Sequence, residues 1–397
     1  MDSQKLSQLV QGLWNQPSDF ALLLSNSSGH NFPVENEFLL GVSDDNSPAS
    51  KWPESNGAWH FGWVPYDYKN KVEPSLFSSN PSFLPYSEHP VFFEAKSVYF
   101  TLESAWSAYG QNNSESFSEP TEISIHPGVD LNRFLEILHE LKLHIKAGNI
   151  YEINYCIPSD GSYKNVDWAN LFIRLNALAQ APFSVFSRIG NTLIISLSPE
   201  RFFKRVGQDI WVQPMKGTAP RSQNRQADQS LISELKTNEK ERAENCMIVD
   251  LTRNDLSKIC FPGSVKVNEL CGVYTFPNVH QMVSTVQGRL MENYTPENLF
   301  KSLFPMGSMT GAPKVKAMEL IEQYECFARG PFSGSFGYVG PTGECDFNVL
   351  IRSIFVNLTE QKFFYATGSA ITINSDPEKE WEEVQLKAGI LQQLAIP

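Results

Sequence analysis

Phe363-Phe364-Tyr365-Ala366-Thr367-Gly368-Ser369-Ala370-Ile371-Thr372-Ile373 leads directly into Asn374-Ser375-Asp376-Pro377-Glu378-Lys379-Glu380-Trp381-Glu382-Glu383-Val384-Gln385-Leu386-Lys387. The first run reads as a strand passing through small residues. In the second, Asp376 can cap a helix and Pro377 suits its first position, where no amide hydrogen is needed, so a helix is expected to about Leu394. Upstream, strands and helices follow each other less regularly. Asp130 can cap a helix whose Leu131, Phe134, Leu135, Leu138 and Leu141 recur at helical spacing, and Gly148 can end it. Tyr151–Cys156 and Thr192–Leu197 read as strands, and Asp228 to about Leu256 as one long charged helix. Gly311-Ala312-Pro313 is a turn opening a further helix, with Pro313 at its first position. The stretches between helices carry several strands each, which favours an α+β fold over a regular βαβ alternation.

The 397 residues could hold two or three average domains or one large unit. Residues 1 to about 125 are rich in Ser, Asn and Pro, with loops expected at Ser43–Gly57, Glu73–Pro90 and Gly110–Glu119. Aromatic runs at Trp59–Tyr66 and Val91–Phe100 look like strands between them. No linker is long enough to separate independent domains, so residues 1–397 are expected to form one. Hydrophobic residues at 41% suit a substantial core. Thirty-two basic against 44 acidic residues leave a charge of −12, which argues against coating nucleic acid or an anionic membrane. An anionic substrate would have to be drawn in by a few local cations. No apolar run approaches the roughly 18 residues of a membrane span; Phe20–Leu24 is a typical maximum. The start of the chain has one lysine, Lys5, and no apolar segment of the signal-peptide kind. Six cysteines without a C-x-x-C pair argue against a disulfide framework or zinc site and for reduced thiols in the cytoplasm.

Several constellations could carry chemistry. At about 100° per residue, Glu380 and Glu383 lie about 60° apart on a helix with Lys387 between them. That face could hold a hard cation such as Mg²⁺, which prefers oxygen ligands and keeps positions open for water or substrate. Spacing alone favours the plainer reading, a solvated face with a Glu–Lys pair. Glu239, Glu241 and Glu244, then Asp250, Arg253, Asn254 and Asp255, allow the same two readings. Pro214-Met215-Lys216-Gly217-Thr218 sets a lysine among apolar and small residues after the strand Ile210–Val212. Desolvation there would lower its pKa and free a nucleophilic amine; otherwise it reaches the surface. Glu200, in Ser198-Pro199-Glu200-Arg201, could act as a general acid or simply pair with a surface base. Small-residue clusters at 307–311, 333–335 and 367–370 let backbone amides approach an anion. None matches a nucleotide fingerprint.

The order of these motifs is more specific than any one of them. Ser-Pro-Glu (198–200), Pro-x-Lys-Gly-Thr (214–218) and Glu-Lys-Glu-Arg-Ala-Glu followed by Val-Asp-Leu-x-Arg-Asn-Asp (239–255) resemble the chorismate-utilising enzymes. So do Gly-Ser-Met-Thr-Gly-Ala-Pro-Lys-Val (307–315), Ser-Gly-Ser-Phe-Gly-Tyr (333–338), Ile-Arg (351–352) and Ser-Asp-Pro-Glu-x-Glu-x-x-Glu-x-x-x-Lys (375–387). The resemblance covers a catalytic core of about 130–397; residues 1–125 match weakly, chiefly through Phe61–Asp67. It implies two packed antiparallel sheets flanked by helices. Within the family, Lys216 points to amination of chorismate at C4 on the folate route. Anthranilate synthase component I, the nearest rival, usually has alanine at that position. Isochorismate and salicylate synthases carry a lysine on the strand equivalent to Tyr151–Tyr155, where this chain has Glu152.

The resemblance also implies roles. Glu244, Glu380 and Glu383 would hold Mg²⁺ against the ring carboxylate. Arg352, backbone amides near Gly368, Lys387 and Thr218 would bind substrate. Lys216 would attack ring C2 while Glu200 protonates the leaving 4-hydroxyl, and ammonia would then displace the lysine at C4. His280 resembles a catalytic-site histidine whose role is open. Phe332, Ala370 and Asn245-Cys246 depart from the family pattern without removing a catalytic group. No G-x-C-x-G nucleophile segment is present, so ammonia is expected from a separate glutamine amidotransferase subunit. A non-catalytic chorismate-binding relative is the alternative of another class.

Overall fold

Strand Thr192–Ser198 is apolar on both faces because it lies between two packed layers. Ile194 points into one hydrophobic cluster and its neighbours Leu193 and Ile195 into another. The same split divides Phe364 and Ala366 from Phe363 and Tyr365 on Lys362–Ile371. A strand's period of two makes this alternation. The computed structural model describes residues 1–26, 37–43, 52–53, 57–76, 80–110, 121–291 and 294–389.

Two antiparallel sheets form the frame. The ten-stranded sheet runs Gly311–Ala312, Glu152–Lys164, Lys362–Ile371, Ser353–Asn357, Thr192–Ser198, Phe183–Ile189, Phe20–Leu24, Phe38–Val42, Ser97–Tyr99, with Glu122–Pro127 also paired to Glu152–Lys164. The nine-stranded sheet runs Met215–Pro220, Val279–Arg289, Asp209–Gln213, Arg201–Val206, Cys345–Asn348, Ser335–Val339, Trp59–Val64, Val91–Ala95, with Lys266–Thr275 also on Val279–Arg289. The largest core lies between them, built from Phe61, Phe203 and Phe347 of one sheet and Val185, Phe355 and Phe364 of the other. Helices Ser3–Trp14 and Trp168–Ala179 cover the outer face of the larger sheet. Leu131–Lys146, Lys314–Tyr324 and Pro377–Ala388 cover the region that carries Glu152–Lys164. Arg225–Thr237 and Glu239–Ser257 pack on the smaller sheet. The expected α+β architecture of two packed antiparallel sheets with flanking helices is the one observed. Both sheets draw strands from before residue 100.

Local expectations fare unevenly. The Asp130 and Asp376 carboxylates accept from the backbone amides of Arg133 and Lys379, capping their helices as expected. The long charged helix is two, because Asn238 leaves helical geometry and caps Glu239–Ser257 through the amide of Glu241. Pro313 is the cap residue before Lys314–Tyr324, not its first helical residue. Val91–Phe100 is two strands on different sheets, Val91–Ala95 and Ser97–Tyr99. The final helix ends at Ala388, and the expected continuation over residues 390–394 lies outside the described residues. The loop expectations at 43–57 and 110–119 fall almost wholly outside them too, and the described residues of 73–90 hold neither helix nor strand.

Candidate active site

The edge strand Met215–Pro220 of the smaller sheet brings Lys216 to the edge of the larger one. There Lys216 Nζ lies 2.6 Å from Glu152 Oε1, with the lysine side chain 10% exposed and the glutamate fully buried. The next residue, Gly217, at φ +94°, takes a left-handed conformation that favours glycine, with Glu241 packed against it. Burial works to lower the Lys216 pKa, but Glu152, aided by Glu244 and Glu200, outweighs it and raises it. The net direction is therefore toward the ammonium form, opposite to what burial alone would give, and the side chain does not reach the surface.

Glu200 follows strand Thr192–Ser198 and is buried. Ser308 Oγ donates to its Oε1 at 2.6 Å. Desolvation pushes the Glu200 pKa up to about 7, against the lowering influence of Ser308 and Lys216. Such a carboxyl carries its proton near neutrality and can deliver it. The loop holding Ser308 is itself fixed. Asn154 Nδ2 donates to Ser308 O at 3.1 Å, and Arg329 Nη1 to Met309 O at 2.7 Å. Arg329 also pairs with Glu325 at 2.6 Å, both side chains being 1% exposed, and donates to Asn154 O. Glu325 in turn accepts from the amide of Cys156. This buried pair ties the loop to strand Glu152–Lys164.

The three glutamates expected to hold Mg²⁺ come from two helices. Glu244, on Glu239–Ser257, is buried, and its Oε1 has no hydrogen-bond partner among the described residues, with Lys240 Nζ 3.8 Å away. Desolvation, with Glu152 adding repulsion, pushes its pKa up to about 7. Glu380 is buried, while Glu383 is half exposed and 2.6 Å from Lys387 Nζ. Burial raises the pKa of Glu241, and the charges of Glu383 and Glu380 raise it further, so this residue shares their field. Among the described residues no three His, Cys, Asp or Glu side chains converge as a ligand set. The orphaned buried oxygen of Glu244, with Glu241, Glu380 and Glu383 in one field, suits the oxygen-ligand preference of a hard divalent cation, although Lys216 and Lys240 also stand near it.

The other expected binding residues divide. Lys387 Nζ donates to Gly368 O at 2.8 Å, joining the helix to the small-residue strand. A Cβ on Gly368 would meet Cys156 Sγ at 2.5 Å and Tyr155 O at 2.7 Å, so only glycine fits. Arg352, at φ +51°, has no ion-pair or hydrogen-bond partner for its guanidinium among the described residues. Burial alone lowers its pKa, as for a buried cation without a counter-ion among the described residues. Thr218 is exposed, its hydroxyl donating to Gln281 Oε1 at 2.9 Å. His280 is fully buried with both ring nitrogens engaged, Nε2 with Asp228 at 2.9 Å and Nδ1 with Thr275 at 3.0 Å. Its contacts hold helix Arg225–Thr237 to the sheet, and no ring nitrogen is free toward Lys216. Glu152, which the sequence reading notes only as standing where related synthases carry a lysine, and Ser308 are the nearest partners of Lys216 and Glu200. No local signal marks either as a partner, since each contact joins distant segments.

Comparison with known proteins places this geometry. Residues 34–393 match the family described as chorismate binding enzyme. The aminodeoxychorismate synthase component 1 of Salmonella typhimurium is 40% identical over 248 residues, 62% of this chain and 54% of that protein. That of Escherichia coli is 38% identical over 260 residues, 65% and 57% of the two chains. The chain thus spans a little over half the length of these relatives. Anthranilate synthase component I from Streptococcus pneumoniae superposes with TM-score 0.72 at 21% identity, over 93% of this chain and 89% of that one. The menaquinone-specific isochorismate synthase of Escherichia coli superposes with TM-score 0.75 at 16% identity, over 98% and 90%. At those identities the two structures speak for the fold alone. The profile match across both sheets, together with the ordered motifs that frame Lys216 and Glu200, makes the chain a member of the chorismate binding enzyme family.

Proposed function

We propose that the protein replaces the 4-hydroxyl of chorismate with an amino group, giving 4-amino-4-deoxychorismate, the precursor of 4-aminobenzoate for folate. The observation that carries this reading is the buried Lys216 in the neighbourhood of Glu200, whose raised pKa suits a proton donor. The names of the two bacterial relatives support it. Chorismate is a dianion, and Arg352, without a partner for its guanidinium among the described residues, would take the carboxylate of its pyruvyl group. Glu244, Glu380 and Glu383 would hold Mg²⁺, which, when bound, would offset the charge of the ring carboxylate. Lys216 forms a covalent bond to C2, the two conjugated ring double bonds shift, and Glu200 protonates the departing hydroxyl as water. Ammonia then bonds to C4, the double bonds return, and the lysine leaves with the electron pair of its bond. Dividing the displacement into two steps lowers each barrier.

The component 1 naming of the relatives supports a second polypeptide. A glutamine amidotransferase would supply ammonia. Purified protein given chorismate, Mg²⁺ and an ammonium salt at alkaline pH should form aminodeoxychorismate, identified by mass spectrometry and converted to 4-aminobenzoate by an added lyase. Lys216→Ala should lose most of that product. Anthranilate instead would assign the chain to amination at C2, and no turnover despite chorismate binding would make it a non-catalytic relative.

A further inference from the structure

Lys216 must lose a proton before it can act as a nucleophile, yet the fold surrounds it with carboxylates that favour the ammonium form. The group that could take that proton is identifiable from the geometry. Glu152 Oε1 is in an ion pair 2.6 Å from Nζ, the side chain is fully buried, and neither of its oxygens has a hydrogen-bond partner among the described residues. No other donor among them therefore competes for it. Backbone pairing of Glu152 with Ala312 and the adjacent Ile153 with Gly311 holds it in place. The other titratable groups facing the pair among the described residues are Glu200 from the end of strand Thr192–Ser198, Glu244 and Glu241 from helix Glu239–Ser257, and the Cys156 thiol, held protonated by burial, farther along the strand of Glu152; Lys240 stands behind Glu244. Glu200 is engaged by Ser308 and assigned to the leaving oxygen. Glu244 is assigned to the cation.

Resting on the reading of the site as a C4 aminase, we propose that Glu152 is the catalytic proton acceptor of Lys216. It takes one ammonium proton, leaving a neutral amine whose lone pair forms the bond to C2. Glu200 gives its proton to the C4 oxygen as that C–O bond breaks, and water departs. In the second half, ammonia bonds to C4 and the C2–N bond breaks with its electrons returning to the lysine. The new C4 ammonium gives a proton to Glu200, and Glu152 returns its proton to Lys216, so both acids end as they began. No oxidant or further reactant is needed.

The test compares wild type with Glu152→Gln, which keeps the shape and removes the base, using chorismate, Mg²⁺ and ammonium salt. The expected result is a kcat lower by about 100-fold or more, the range of a lost general base. KM should not rise, because a neutral residue repels the dianion less. The deficit should shrink as pH increases and solvent takes over the deprotonation. In Glu152→Ala, added formate should restore activity; this ratio is measured on one sample and is insensitive to partial loss of folded protein. A Gln variant within about threefold of wild type in kcat with the same pH profile, or an Ala variant that formate leaves unchanged, overturns the assignment of Glu152. Wild type that makes no aminodeoxychorismate would instead overturn the reading of the site, and the role of Glu152 with it.

Discussion

Glu200 and Lys216 are equally enclosed, yet burial prevails in the one and is overruled in the other. Glu200 meets few compensating charges, so desolvation prevails and its pKa rises to about 7. Lys216 is equally enclosed, but Glu152 reverses the effect. Both shifts favour the protonated form, which suits a donor and hinders a nucleophile. If Glu200 is the acid, turnover should fall as pH rises through about 7, because its proton is then lost to solvent. Glu200→Gln, which has no proton to give, should lower kcat by roughly 10²–10⁴ and abolish that alkaline limb. An unchanged limb in the variant would assign it to another group. The lysine motif is visible in the sequence as a cation among apolar residues. Its partner is not, because Glu152 lies on another sheet and only folding brings the two together.

At the scale of elements, what is legible depends on whether the cause is local. Asp376 and Pro377 set the start of helix Pro377–Ala388 by cap chemistry within one turn, and the sequence shows that start directly. The break at Asn238 escapes the pattern because charged residues continue on both sides of it. The division of Val91–Phe100 escapes it because alternation reports a strand's period but not the sheet it joins. The helix cap also bears on the site, since this helix carries Glu380, Glu383 and Lys387. Asp376→Ala should cost about 1 kcal/mol, the usual loss of an N-cap. It should also weaken Mg²⁺ and chorismate binding measured by calorimetry, because the first turn positions Glu380. Full affinity with the same stability loss would separate the cap from the site.

For the whole molecule, the buried acids give a pH dependence. Burial raises Glu200 and Glu244 to about 7 and Asp67 to about 6, so the folded chain holds protons that the unfolded chain releases at lower pH. Their contribution is fully present below the unfolded carboxylate pKa and is lost as pH rises through these folded values. Metal-free protein should therefore melt at a higher temperature near about pH 5.5 than near about pH 8, as followed by calorimetry. The opposite order would mean that ion pairs outweigh these acids. The sequence by itself determined the α+β class, the Asp130 and Asp376 caps and the ordered motifs, because capping, periodicity and residue spacing act within a few residues along the chain. Only the tertiary structure decided which strands share a sheet, that Lys216 is paired with Glu152, that burial pushes the Glu200 pKa up and that Arg352 lacks a counter-ion among the described residues. Those properties depend on burial and on charges from distant segments, and neither exists until the two sheets close on each other.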